Sequence, residues 1–121
     1  MTDKKELKKQ YKQKQPRMGI FQIKNLVNGK IFVGRGLNVQ GIINSAKFQL
    51  EHGSHPNSEL QRDFKQYGIG NFSYEVVDYL DTKEDSPDYD YTRDLKALED
   101  MWLEKLEPFE EKGYNKRELS N

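Results

Sequence analysis

Gly19-Ile20-Phe21-Gln22-Ile23-Lys24-Asn25-Leu26-Val27-Asn28-Gly29-Lys30-Ile31-Phe32-Val33-Gly34 is the stretch that decides the fold. Two short apolar segments flank Val27-Asn28-Gly29-Lys30. Asn-Gly between strand-like runs is the strongest short-range hairpin signal, because a type I′ turn needs positive φ at both central residues. The sequence therefore predicts an antiparallel hairpin closed by such a turn. Each strand carries a glycine-bounded tripeptide, Gly19-Ile20-Phe21 and Phe32-Val33-Gly34. Pairing sets them side by side, so one aromatic from each strand points at a shared spot. Both aromatics are phenylalanine, which has no hydroxyl.

Outward from the hairpin, Asn38 is placed to cap a helix that carries Val39, Ile43, Ala46 and Leu50 on one face, with Gly53 to close it. His55-Pro56-Asn57-Ser58 starts a second helix. Ser58 and Gln61 have the capping-box spacing there, and Leu60, Phe64 and Tyr67 line one side before Gly68. Asn71 to Leu80, with Phe72, Tyr74, Val76, Val77 and Tyr79, reads as a third strand. The polar, acidic segment from Asp81 to Tyr91 reads as a surface loop, and a third helix follows with Tyr91, Leu95, Leu98, Trp102 and Leu106 on one face, stopped by Pro108. The expected class is α+β: a three-stranded antiparallel sheet in β-β-α-α-β-α order, flanked by helices. A hairpin alone is marginal, so the third strand and the helices must supply its core.

The 121 residues suit one domain, read as a basic arm over 1–17, a folded unit over 18–115 and a tail over 116–121. The chain has no cysteine, which excludes disulfides, thiolate zinc sites and cysteine nucleophiles. Without a signal-peptide pattern or a membrane-length apolar run, the expectation is a soluble cytoplasmic protein with no membrane contact. Lys+Arg and Asp+Glu are both 20, yet the charge is uneven: residues 1–17 hold seven bases against two acids, whereas 81–112 hold twelve acids against five bases. A basic arm on a near-neutral domain suggests a polyanion partner and salt-dependent binding. A solvated terminus explains it equally well.

With these features in order, the sequence resembles the GIY-YIG endonuclease family of homing endonucleases and of bacterial and phage nucleases. The resemblance covers residues 18–115. It rests on Gly-Ile-Phe at 19–21, Phe-Val-Gly at 32–34, His-Gly-Ser-His-Pro-Asn-Ser-Glu-Leu-Gln-Arg-Asp-Phe at 52–64, Glu99 on an amphipathic helix, and Gly-Tyr-Asn at 113–115. It implies a phosphodiester hydrolase using one divalent ion, Mg²⁺ or Mn²⁺, on a glutamate that matches Glu99. It also matches the family's asparagine to Asn115 and a histidine of part of the family to His55. Phe21 and Phe32 stand where the family has tyrosines. The helical arginine and histidine positions, counted from Gly34, fall at Ile42 and Ala46.

Phenylalanine keeps a ring but neither orients nor deprotonates a water. Ile42 removes a bidentate partner for phosphate charge, and Ala46 cannot exchange a proton. Losing one preorganised electrostatic contact typically costs about 10²–10³ in rate. The implied function is a nucleic-acid-binding domain, for DNA or RNA, with weakened or lost hydrolysis, gripping phosphates through Arg17, Lys47, Arg62 and Lys65. Arg35 is read either as a substitute for the missing helical arginine or as an ordinary surface residue. Two alternatives stand beside this reading. One is an active endonuclease in which Arg35 and His55 replace the helical pair. The other is a protein-interaction module that docks a basic partner on the acidic segment from Asp81 to Asp94.

Overall fold

The computed structural model describes residues 16–83 and 88–117, so residues 1–15 of the arm, 84–87 of the acidic loop and 118–121 of the tail lie outside the described residues. Strand β1 (Met18–Asn25) pairs with β2 (Ile31–Gly36), and helices α1 (Val39–Glu51) and α2 (Ser58–Tyr67) follow. Strand β3 (Phe72–Leu80) and helix α3 (Thr92–Leu106) complete the regular elements, with 3₁₀ turns at Ile69–Asn71 and Glu110–Lys112. The sheet is three-stranded and antiparallel, as the sequence predicts, and its strands lie in the order β2-β1-β3.

Period-two alternation along β1 sends its apolar residues to both faces, and each face is covered. Phe21 and Ile23 pack with Val39, Ile43, Ala46 and Leu50 of α1 and Leu60 and Phe64 of α2. Met18, Ile20 and Val33 pack on the other face against Leu95 of α3, with Leu98, Trp102, Leu103 and Leu106 around them. Val77 is the extra residue of a bulge opposite Ile20/Phe21, which shifts the alternation so that Tyr74 and Val76 join the first core and Leu80 the second.

The hairpin turn differs from the expected type. Gly29 has φ +78°, but Asn28 is not among the positive-φ residues, so the connection is not type I′. It is a four-residue loop, with Asn25 N–H donating to Lys30 O (2.9 Å) and Gly29 N–H to Asn25 O (2.8 Å). The side-chain oxygens of Asn25 and Asn28 accept from Val27 N–H and Lys30 N–H, each at 2.9 Å. These Asx bonds satisfy the loop backbone in a way a two-residue turn cannot. The α2 cap also moves by one residue: Asn57 caps through Leu60 N–H (3.0 Å), and Gln61 Oε1 accepts from His55 N–H (2.9 Å) rather than closing a box with Ser58. Asn38 caps α1 as expected, accepting from Gly41 N–H (3.1 Å).

The chain end closes the free edge of β2. Tyr114 N–H donates to Ile31 O (2.9 Å), and its phenol is 1% exposed. The hydroxyl donates to Asp63 Oδ2 (2.8 Å) and accepts from Asn25 Nδ2 (3.1 Å), while the Tyr114 carbonyl accepts from Asn57 Nδ2 (2.7 Å). Burial pushes the phenol pKa up to about 12. The phenol is then neutral in the fold while an unfolded one ionises near 10. Its contribution is complete below pH 10 and lost as pH rises toward about 12. Tyr114→Phe leaves Asp63 and Asn25 buried without this partner. The expected loss is about 1–3 kcal/mol in urea unfolding at pH 7, with an unchanged m-value.

Candidate functional site

The two faces of the sheet divide the residues singled out from the sequence. On the face covered by α1 and α2, Phe21 and Phe32 lie with ring centroids 6.3 Å apart, and His55 meets Phe32 edge-on at 5.5 Å. Glycine at 34 makes this possible. A Cβ added there would lie 2.7 Å from Phe21 ring carbons, closer than packed atoms tolerate. His55 Nδ1 accepts from Asn57 N–H (3.0 Å), which places the proton of the neutral ring on Nε2. Burial lowers the His55 pKa below 6.5. The cluster offers packing, one neutral imidazole and no phenol hydroxyl.

On the opposite face, covered by α3, Arg35 points from β2 at Glu99. Arg35 Nη1 donates to Glu99 Oε1 at 2.6 Å, and Lys96 Nζ stands 3.7 Å from the same oxygen. The Glu99 side chain is 11% exposed and that of Arg35 39%, so the acid is enclosed while the Arg35 side chain is partly open to solvent. A buried carboxylate needs such a partner, because an unpaired charge there is costly. Asn115 sits at the strand edge between the faces. It accepts from Val33 N–H and donates to Val33 O, both at 2.8 Å, and so pairs with β2 as a strand residue would. Ile42 is exposed on α1, whereas Ala46 is buried in the first core.

The basic residues do not converge on Arg35. Arg17 stacks over Tyr79 (3.7 Å) and reaches Asp81 (3.7 Å), and Lys47 lies over Tyr74 (4.8 Å). Both rings belong to β3, the opposite edge of the sheet from β2. Arg62, on α2, is 3.8 Å from Asp63, and Lys65 is exposed in the last turn of α2.

The charges beside Glu99 oppose a divalent ion there. Glu99 is the matched ligand, and its Oε1 already faces a guanidinium and an ammonium. No group of three His, Cys, Asp or Glu able to hold a metal occurs among the described residues. His52 stacks on Phe48 at 4.0 Å and bonds Phe48 O through Nδ1. The sequence singled out Arg35 and Glu99 separately, but their partnership spans 64 positions and no local pattern announces it. Asp63 and Asn25 were missed for the same reason, since their value depends on the Tyr114 hydroxyl between them.

No protein-family model matches the chain, and no curated protein matches it. Among solved structures, the catalytic domain of the homing endonuclease I-TevI is similar to this chain at 26% identity with a TM-score of 0.67, over 84% of this chain and 100% of that one. A mutant of the same catalytic domain, described as that of an intron endonuclease, is similar at 26% identity and TM-score 0.64, over 82% and 92%.

The His55 environment makes a prediction of its own. Its Cε1–H resonance should titrate with a midpoint below 6.5, because the fold favours the neutral ring. Between that midpoint and 6.5 the unfolded chain binds more protons, so the stability His55 contributes is present above 6.5 and lost as pH falls through the native midpoint. His55→Gln should flatten that part of the stability profile, read by urea unfolding from pH 5 to 7.5.

Proposed function

The chain carries a GIY-YIG nuclease-family domain, and from that premise we propose that it binds nucleic acid, DNA first, with phosphodiester hydrolysis weakened or lost. One observation carries the reading. The two rings that meet beside Gly34 are benzyl groups, so neither brings a hydroxyl to orient a water. His55 beside them is neutral and contacts Phe32, and the residues at the helical positions are an exposed isoleucine and a buried alanine. Groups that act together in catalysis fail together, so restoring one of them restores little.

Binding by such a domain rests on cations at the surface. Arg17, Lys47, Arg62 and Lys65 are the candidate phosphate contacts, and the lysine-rich stretch over 4–14 adds positive charge in the same chain. Arg17 and Lys47 lie over tyrosine rings, which help to hold each cation in place, with Asp81 also 3.7 Å from Arg17. Rearranged catalysis by Arg35 and His55 lacks support in the geometry, because they contact groups on opposite faces of the sheet.

Gel-shift and anisotropy titrations with duplex and branched DNA should show binding at about 50 mM salt that weakens steeply as salt rises. Neutralising the four cations together should flatten the log–log salt slope by about 3 to 4, at roughly 0.9 per phosphate contact. No retention at about 50 mM salt overturns the proposal of nucleic-acid binding. Supercoiled plasmid incubated with Mg²⁺ or Mn²⁺ should stay intact. Nicking that disappears in the Glu99→Gln protein would instead establish an active endonuclease.

A further inference from the structure

The Glu99 carboxylate is enclosed, and a side chain of its own chain already neutralises it. Arg35 Nη1 lies 2.6 Å from Glu99 Oε1, the length of a strong charge-assisted bond, and Lys96 Nζ adds a second positive group at 3.7 Å. Lys96 is itself tied to Asp100 at 2.7 Å on the exposed side of α3. A divalent ion at Glu99 would stand next to both cations, and their repulsion opposes it. The guanidinium has five N–H donors in a planar fork, and the bond to Glu99 uses one of them. With 39% of its side chain exposed, Arg35 is partly open to solvent, between Gly34 and Gly36 in β2.

We propose that Arg35 occupies the cation position at Glu99 and serves as a metal-free phosphate contact, with Glu99 as the positioning residue that holds the guanidinium in one orientation. Planar, bidentate donors suit a phosphodiester oxyanion, and an anchored guanidinium loses less rotamer freedom on binding than a free one. The phosphate half of the proposal rests on the nucleic-acid reading above, whereas the cation half does not.

Two measurements on the full chain test it. In the first, Mn²⁺ is titrated and followed by electron paramagnetic resonance with no nucleic acid present. The expected result is no saturable Glu99-dependent binding up to about 1 mM, the weak-site end of the usual range for hard cations. Saturable binding that is lost in Glu99→Gln overturns the cation half. In the second, affinity for a short DNA duplex is measured in EDTA and in Mg²⁺. The two affinities should agree, Arg35→Ala should weaken binding about tenfold and lower the salt slope by about 0.9, and Arg35→Lys should recover only part of the loss. Dependence on Mg²⁺, or an Arg35→Ala protein that is folded by circular dichroism and binds like wild type, overturns the phosphate half. If the wild-type chain binds no DNA in either buffer, the nucleic-acid reading fails and takes the phosphate half with it. The manganese titration still decides the cation half.

Discussion

The fold depends on the place where the end of the chain meets the beginning of the sheet. Tyr114 reaches Asn25 on β1, Asp63 and the Asn57 cap on α2, and Ile31 on β2 from a single residue. A two-stranded edge left open would expose the N–H and C=O groups of β2 to any passing strand. The last residues of the folded unit cover that edge, first Tyr114 and then Asn115, whose amide satisfies both backbone groups of Val33. No buried side-chain polar atom among the described residues lacks a partner. In so small a core, one unsatisfied group would be a large share of the net stability.

That closure also shapes the functional region. The side-chain amide of Asn115 pairs with Val33, and beyond it Arg35 is the exposed residue of β2, between half-buried Gly34 and buried Gly36. Alternation then sorts the side chains: Phe32 turns toward α1 and α2, Arg35 toward α3. A residue matched by sequence order to a catalytic position therefore need not share a pocket with the others. The chain keeps the architecture of a nuclease domain while the groups around its edge perform different tasks, packing on one face and charge pairing on the other. The scaffold is held by its two cores and by the contacts of Tyr114 and Asn115, none of which needs a reactive group.

Much of the framework was legible from residues alone. Hairpin, helix faces, the Asn38 cap and the strand after Gly68 follow from periodicity and punctuation, which are local properties of the chain. The turn type and the α2 cap were misread at the level of one or two residues. In both cases an asparagine side chain, Asn28 in the loop and Asn57 at the helix, bonded to backbone that another arrangement could have satisfied equally well. Local competition of this kind is decided by small energies that the pattern does not encode. Glu99 and Asn115 were singled out by position, yet what each contacts, a guanidinium in one case and the backbone of Val33 in the other, was not readable from their surroundings in sequence.

The sequence by itself determined the order of elements, which faces are apolar, and that the two aromatics nearest the hairpin glycines carry no hydroxyl, because covalent identity and short-range periodicity settle such things. Tertiary structure alone decided that Arg35 meets Glu99 across 64 residues and that Tyr114 joins Asn25 to Asp63. Those contacts come from how a sheet of fixed alternation is sandwiched between helices, a three-dimensional outcome of burying both faces at once.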